Sequence, residues 1–361
     1  MKRLIPPDYQ HLPARLIALS FLFFSPFLSN KAGRAIPGVF CCNPSRPEDL
    51  SVRFRLKIRG EEERVLNFRD PTHVRYLTGE SGRVVFIVHG FMERMSGAKW
   101  LNEMRKGFVD LGDNAILIDW RRGNVGHYWQ AMANTRVIAA MIGRAILNWE
   151  IADRTLLVGF SLGAQIAGEA GRFTKRYGNV LIDECHGLDP AGPFYDGCPD
   201  EIQLDKSDCR LVQVVHTSAE DFKVVGPLAM RFGTYKKAGH CDYWINCGYT
   251  QGWCKDIAFS DLMKGMTRLV QMSDGEISNW ANRWVCSHPR AFEVYISRLL
   301  NRCNFPAYPC SECGKYGSSV DCRIGITGHS NNSLPPFSAC DPSMDENYFV
   351  SSESYHPFCE I

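Results

Sequence analysis

The chain has 361 residues, 45% of them hydrophobic, enough to bury a substantial core, and no polar or low-complexity block suggests disorder. With 41 basic residues against 39 acidic ones the formal net charge is +2, so no general field draws the protein onto nucleic acid or an anionic membrane, and no nucleic-acid partner is expected. Fifteen cysteines, clustered from Cys185 onward without the paired CxxC and His spacing of a zinc site, argue against a reducing cytosol and for disulfides. Because the number is odd, at least one thiol is left over or pairs with another chain.

In chain order, Lys2, Arg3 and Arg15 precede an apolar run from Leu16 to Leu28, and small residues follow at Gly33 and Ala35. This is the pattern of a secretory signal peptide, expected over residues 1–35. The run is shorter than the roughly 20 residues that cross a bilayer, and it contains Pro26. A secreted, extracellular chain over 36–361, with one large domain, is the expectation. Ser51 to Asn67 alternates as a strand pair at a sheet edge, with Val52, Phe54, Leu56 and Ile58 on one face.

Two compact apolar runs, Val84 to Val88 and Ala115 to Ile118, are predicted as buried parallel strands. Helical stretches are expected around Trp100 to Leu111 and Trp129 to Trp149, and a third strand at Thr155 to Gly159. The helix predicted from Leu162 is rich in small residues (Gly163, Ala164, Ala167, Gly168), which allows close packing on a sheet. Val180 to Leu188 and Leu211 to Val215 are predicted as further strands. Strand and helix alternate across residues 83–216, which specifies a doubly wound α/β architecture with a mostly parallel sheet and helices on both faces. From Pro306 onward the chain is rich in Cys, Gly, Pro and Ser and is predicted as disulfide-tied loops with a few strands; Asn331-Asn332-Ser333 is a glycosylation acceptor pattern.

Gly159-Phe160-Ser161-Leu162-Gly163 fits G-x-S-x-G between an apolar strand and a small-residue helix. A tight strand-to-helix turn leaves no room for side chains beside the serine, and the helix N-terminus behind it favours negative charge. A serine hydroxyl is a poor nucleophile at neutral pH, so it needs a histidine base and a carboxylate to fix that histidine's tautomer. Asp189, after the apolar segment ending at Leu188, is placed for that carboxylate, with Asp183 and Asp196 as rivals. The histidines later in the chain, His216, His240, His288, His329 and His356, are not separated by pattern alone. His89-Gly90-Phe91, directly after the Val84 to Val88 strand, is placed to supply a second oxyanion donor, so the amides of Phe91 and Leu162 are the expected pair.

These motifs resemble the pancreatic-type lipase family, which contains neutral lipases, sn-1 phospholipases and catalytically dead insect yolk proteins. The resemblance spans about residues 50 to 330. It rests on Val88-His89-Gly90-Phe91, Ile118-Asp119-Trp120, Asn134-Thr135-Arg136, the Gly159 to Ala164 turn, Leu188-Asp189-Pro190-Ala191-Gly192-Pro193, and Cys286-Ser287-His288-Pro289-Arg290-Ala291. It implies an α/β-hydrolase fold, a Ser161, Asp189 and His288 triad acting on lipid esters, and structural roles for His216 and His240. The family usually carries histidine on both sides of the nucleophile turn, where this chain has Phe160 and Gln165. The family's calcium loop is similar to Pro199 to Asp208, where Asp200, Asp205 and Asp208 with the Gln203 carbonyl are candidate oxygen ligands for a structural calcium. No cofactor is implied for the chemistry itself.

The resemblance also implies a lid bounded by a Cys254 to Cys286 disulfide. Within that segment Phe259, Leu262, Met263, Met266, Leu269 and Val270 recur at helical spacing beside charged residues. Both this segment and the loop from Thr217 to Ala238 are long, which favours neutral glycerides over phospholipids. The stretch after His288 is too short for the family's C-terminal β-sandwich, so a colipase partner is not expected.

Overall fold

The computed structural model describes residues 43–77, 82–91, 93, 99–124, 128–192, 195–196, 200–219, 232–249, 251, 254, 286–314, 322–330, 332–354 and 356–359. The segments expected to be a signal peptide and the body of a lid, and Asn331, lie outside them.

The described strands form one 11-stranded sheet in the order β10-β9-β11-β8-β7-β6-β5-β3-β4-β1-β2. In chain order these are β1 (Arg53–Lys57), β2 (Arg64–Leu66), β3 (Val84–Val88), β4 (Asn114–Asp119), β5 (Thr155–Phe160), β6 (Ile182–Leu188), β7 (Cys209–His216), β8 (Cys241–Ile245), β9 (Pro306–Pro309), β10 (Asn332–Ser333) and β11 (Glu346–Val350). Strands β3 to β8 run parallel, with β11 parallel to β8. The β1/β2 hairpin closes one edge antiparallel to β4, and β9 with β10 closes the other antiparallel to β11.

Among the described residues four longer helices cover the sheet: α1 (Lys99–Asp110), α2 (Tyr128–Trp149), α3 (Leu162–Gly178) and α4 (Arg290–Leu299). The period-2 geometry of a strand divides each apolar run between two cores. Val84, Phe86 and Val88 join Ile138, Ile142 and Ile166 of α2 and α3, whereas Val85 and Ile87 join Met104 and Phe108 of α1 and Val294 and Tyr295 of α4. A sheet buried on both faces needs continuous Val, Ile and Leu runs, and this is why β3 and β4 were legible without alternation. The expected α/β-hydrolase fold, with a mostly parallel sheet and helices on both faces, is the fold observed.

One detail differs from expectation. Strand β6 begins at Ile182, with Val180 and Leu181 exposed before it, because α3 runs on to Gly178 and is capped by Asn179 in a left-handed conformation. The few strands expected after Pro306 are three short ones among otherwise non-strand segments, and all three join the central sheet. Tyr308 and Phe349 face one another across the β9/β11 register, and Phe349 stands opposite Trp244 of β8.

Among the described residues six disulfides join Cys185 to Cys209, Cys241 to Cys340, Cys247 to Cys322, Cys254 to Cys286, Cys303 to Cys359 and Cys310 to Cys313. Cys41, Cys42 and Cys198 fall outside the described residues. Among those residues no helix is long and apolar enough to cross a membrane.

Candidate active site

Strand β5 ends at Phe160 and α3 begins at Leu162, so Ser161 alone makes the turn, with φ 57° and ψ −119°. Such a conformation costs a non-glycine residue about 1–3 kcal/mol and persists only where the surroundings over-determine it. Here they do. A Cβ on Gly159 would lie 2.1 Å from the Gly163 carbonyl oxygen, and one on Gly163 would lie 2.1 Å from the Val88 carbonyl oxygen. The turn is pinned to the next strand as the Ser161 amide donates to the Leu188 carbonyl at 3.0 Å and the Ala191 amide donates to the Ser161 carbonyl at 3.2 Å.

The loop after β3 leans directly on this turn: a Cβ on Gly90 would be 2.9 Å from the Ser161 Cβ. It is held by residues whose role sequence reasoning missed. The Trp120 amide donates to His89 Nε2 at 3.3 Å and its indole N–H to the His89 carbonyl at 2.9 Å. With Nε2 accepting, the ring proton belongs on Nδ1, which faces the Gly90 carbonyl at 3.1 Å. Asn124 Nδ2 donates to the Gly90 carbonyl at 3.0 Å and to the Glu93 carbonyl at 2.9 Å. The Phe91 ring meets Tyr128 edge-on. Leu162 opens α3, and the first N–H groups of a helix have no intrahelical partner. The loop carrying Phe91 and the helix start carrying Leu162 therefore flank the serine.

Burial pushes the His89 imidazole down from 6.5 to about 4. Between those values an unfolded chain takes up a proton that the folded chain refuses, so stability is present above pH 6.5 and is lost as pH falls towards 4. The loss reaches roughly 3 kcal/mol. In urea unfolding, the stability gap between the wild type and His89→Asn is expected to narrow from pH 7 to about pH 4.5, since only the former titrates at this position. A gap independent of pH would show that His89 is not buried neutral.

Asp189 follows β6, buried and with φ 44°. Its amide donates to the Val215 carbonyl at 2.7 Å. The Thr217 and Ser218 amides donate to Asp189 Oδ1 at 2.9 and 3.2 Å, while His288 Nδ1 donates to Oδ2 at 2.6 Å and the Ser218 hydroxyl donates to the same oxygen. Burial by itself would raise this carboxyl, but the His288, Ser218 and Thr217 contacts outweigh it and hold it below the usual carboxylate value.

His288 stands just before α4, and its ring lies 4.5 Å from Phe160 and 5.7 Å from Phe232, centroid to centroid. Phe160 thus fills the histidine position of the family pattern with a wall for the imidazole, itself braced by Trp100 and Phe292. The preceding residue is anchored too: the Gln251 amide donates to Ser287 Oγ at 2.9 Å, and the Cys254–Cys286 disulfide closes beside it. No hydrogen bond joins the Ser161 hydroxyl to His288 among the described contacts. Nucleophile-to-base contacts are commonly loose before a substrate binds.

The rival residues are occupied elsewhere. Asp183 accepts from Arg210 and Asp196 from the Thr234 hydroxyl. His216 pairs with Asp242 at 2.8 Å and stacks on Trp244, and His240 Nδ1 accepts from the Val212 amide. Gln165, the other departure from the family pattern, donates to the Ala191 carbonyl and accepts from the Leu204 amide, stapling α3 to the Asp189 loop and to the acidic loop.

In that acidic loop Arg172 of α3 donates to the Gln203 carbonyl at 2.8 Å and to Asp208 Oδ2 at 2.6 Å, while Asp205 Oδ1 accepts from the Ser207 amide. A guanidinium therefore serves two of the donors assigned to calcium, and the side chain of Asp200 is outside the described set. Among the described residues, Cys310, Cys313 and Cys322 alone cluster with ligand spacing, and all three are in disulfides.

Comparison with known proteins shows the family. Residues 38–358 match the family described as Lipase. The chain is 32% identical over 288 residues to inactive pancreatic lipase-related protein 1 of Mus musculus, covering 76% of this chain and 56% of that protein. It is 33% identical to pancreatic lipase-related protein 2 of Rattus norvegicus, covering 77% and 58%, and 33% identical to lipase member H-A of Xenopus laevis, covering 72% and 50%. The chain thus spans about half the length of the curated relatives it matches, several of which are named inactive. By the extent of these matches and the motifs that carry them, the chain belongs to the lipase family.

Proposed function

We propose that the protein is a secreted serine hydrolase of lipid esters. Ser161 attacks the ester carbonyl as His288 takes its proton, the Phe91 and Leu162 amides receive the oxyanion, Asp189 stabilises the imidazolium, and the acyl C–O bond breaks as His288 gives the proton to the departing alcohol. Water then hydrolyses the acyl-enzyme. The observation that carries this reading is the buried Asp189 carboxylate bonded to His288 Nδ1 at 2.6 Å on the strand next to the strained Ser161 turn. Six disulfides support the extracellular location.

Triacylglycerol at a lipid surface is the favoured substrate, supported by the length of the Cys254 to Cys286 segment and of the loop from Thr217 to Ala238. The contending reading, a lipid-binding protein that keeps the fold without turnover, draws on the relatives named inactive. A fluorophosphonate probe is expected to label the wild type at Ser161 and to leave Ser161→Ala unlabelled. Emulsified triacylglycerol is expected to be hydrolysed faster than phosphatidylcholine. A folded wild type that resists the probe and turns over neither lipid overturns the proposal; faster turnover of phosphatidylcholine assigns it to phospholipids.

A further inference from the structure

We propose that Ser218 is a positioning residue for this hydrolysis, orienting the acid and fixing the tautomer of the base. The inference rests on the triad reading above and deepens it. Strands β6 and β7 are parallel neighbours in which Leu188 stands opposite Val215, so the segments that follow them, Asp189 and Thr217-Ser218, emerge side by side. Ser218 is 5% exposed and its hydroxyl has three neighbours: Asp189 Oδ2, the Gly233 amide at 3.1 Å and His288 Nδ1 at 3.3 Å.

A proton inventory decides what each contact is. An ionised carboxylate only accepts, and the Gly233 amide only donates. The single hydroxyl proton therefore goes to Asp189, and the oxygen lone pairs face Gly233 N–H and His288 Nδ1. The Nδ1 proton of His288 then lies between two acceptors, Asp189 Oδ2 at 2.6 Å and Ser218 Oγ at 3.3 Å. With Nδ1 protonated in this way, Nε2 is the nitrogen left bare to receive a proton.

The carboxylate is prevented from rotating away on its other side as well. Both backbone amides of Thr217 and Ser218 hold Oδ1, and Gly233 covers it so closely that a Cβ there would be 2.3 Å from Asp189 Oδ1. Ser218 supplies two of these restraints, one from its amide and one from its hydroxyl. The hydroxyl alone touches both acid and base.

Ser218→Ala is expected to lower kcat on a soluble p-nitrophenyl ester about tenfold with KM unchanged, as for the loss of one charge-assisted hydrogen bond. Ser218→Thr keeps the hydroxyl and is expected to restore kcat to within about threefold of wild type. In a Ser161→Ala background, which makes the readout independent of turnover, the downfield proton resonance of His288 Nδ1–H is expected to move in Ser218→Ala and to stay in Ser218→Thr. Rates are referred to the folded fraction measured by thermal unfolding. Wild-type kcat together with an unmoved resonance in Ser218→Ala overturns the proposal, as does a threonine variant as slow as the alanine one. Absence of all esterase activity in the wild type sinks the triad reading instead, and the resonance still tests Ser218.

Discussion

Replacing Asp189 by asparagine is expected to lower kcat by about 10⁴-fold while leaving the protein folded, a loss of the size seen when a triad acid becomes an amide. Asparagine is nearly isosteric, so packing is retained. What changes is the donor and acceptor pattern. At present every group facing the carboxylate is a donor: the Thr217 and Ser218 amides, the Ser218 hydroxyl and His288 Nδ1. An amide NH₂ would oppose one pair of them, whichever way it flips. If it faces His288, the imidazole must turn its unprotonated nitrogen to the amide and present N–H to the serine, so it no longer acts as a base. The measurement is kcat and KM on a soluble ester, with circular dichroism to verify the fold. A variant within tenfold of wild type would show that Asp189 is not the acid.

The nucleophile was legible in the sequence because its constraints are local. A serine flanked by glycines between an apolar strand and a small-residue helix can hardly be anything but a tight turn, and the contacts of Gly159 and Gly163 show why. The acid and base were less legible. Asp183, Asp189 and Asp196 all sit near β6, and which of them meets an imidazole depends on β6 lying beside β7 and on a histidine far along the chain. Only the resemblance of whole motifs separated them. Of the supporting residues, Trp120 lay in a motif that the sequence carries, but the hydrogen bonds that give it and the others their roles were not readable there. Trp120, Asn124, Ser218 and Gly233 act through hydrogen bonds or a missing Cβ, at loop positions whose neighbours are set by tertiary structure.

A few strands were expected after Pro306, but their positions were obscured for a related reason. They are short, one of them begins and ends in proline, and their strand character comes from pairing with β8 and β11 more than from periodicity. Arg172 shows the same limit at the acidic loop. Its place on α3 is plain from sequence, but that it reaches Gln203 and Asp208 is a fact of packing. Pattern reading thus identified groups by chemistry, and the fold decided their partners.

The steric demand at the nucleophile turn leads to the second large effect. Gly163→Ala places a methyl group 2.1 Å from the Val88 carbonyl oxygen and 2.9 Å from that of His89. Those atoms belong to the end of β3 and the start of the oxyanion loop, and neither can yield. Val88 is paired with β4 and β5 on either side, and the His89 carbonyl is held by the Trp120 indole. Relief must therefore come from moving α3 off the sheet, which opens the core around Ile166 and Ala167. Overpacking against rigid backbone belongs to the small group of changes that destabilise by more than about 4 kcal/mol. The expected result is loss of soluble, folded protein, and no probe labelling in whatever folded fraction survives. Gly168→Ala is the informative control. Its Cβ would meet the Asp208 carboxylate at 2.6 Å and the Leu204 backbone at 2.9 Å, on the loop side of the same helix, so it strains the acidic loop and leaves the oxyanion loop untouched. It is expected to lower the thermal midpoint while the folded fraction still labels. If Gly163→Ala folds and labels like wild type, the close seating of the nucleophile turn against β3 is not what sets the geometry of the serine.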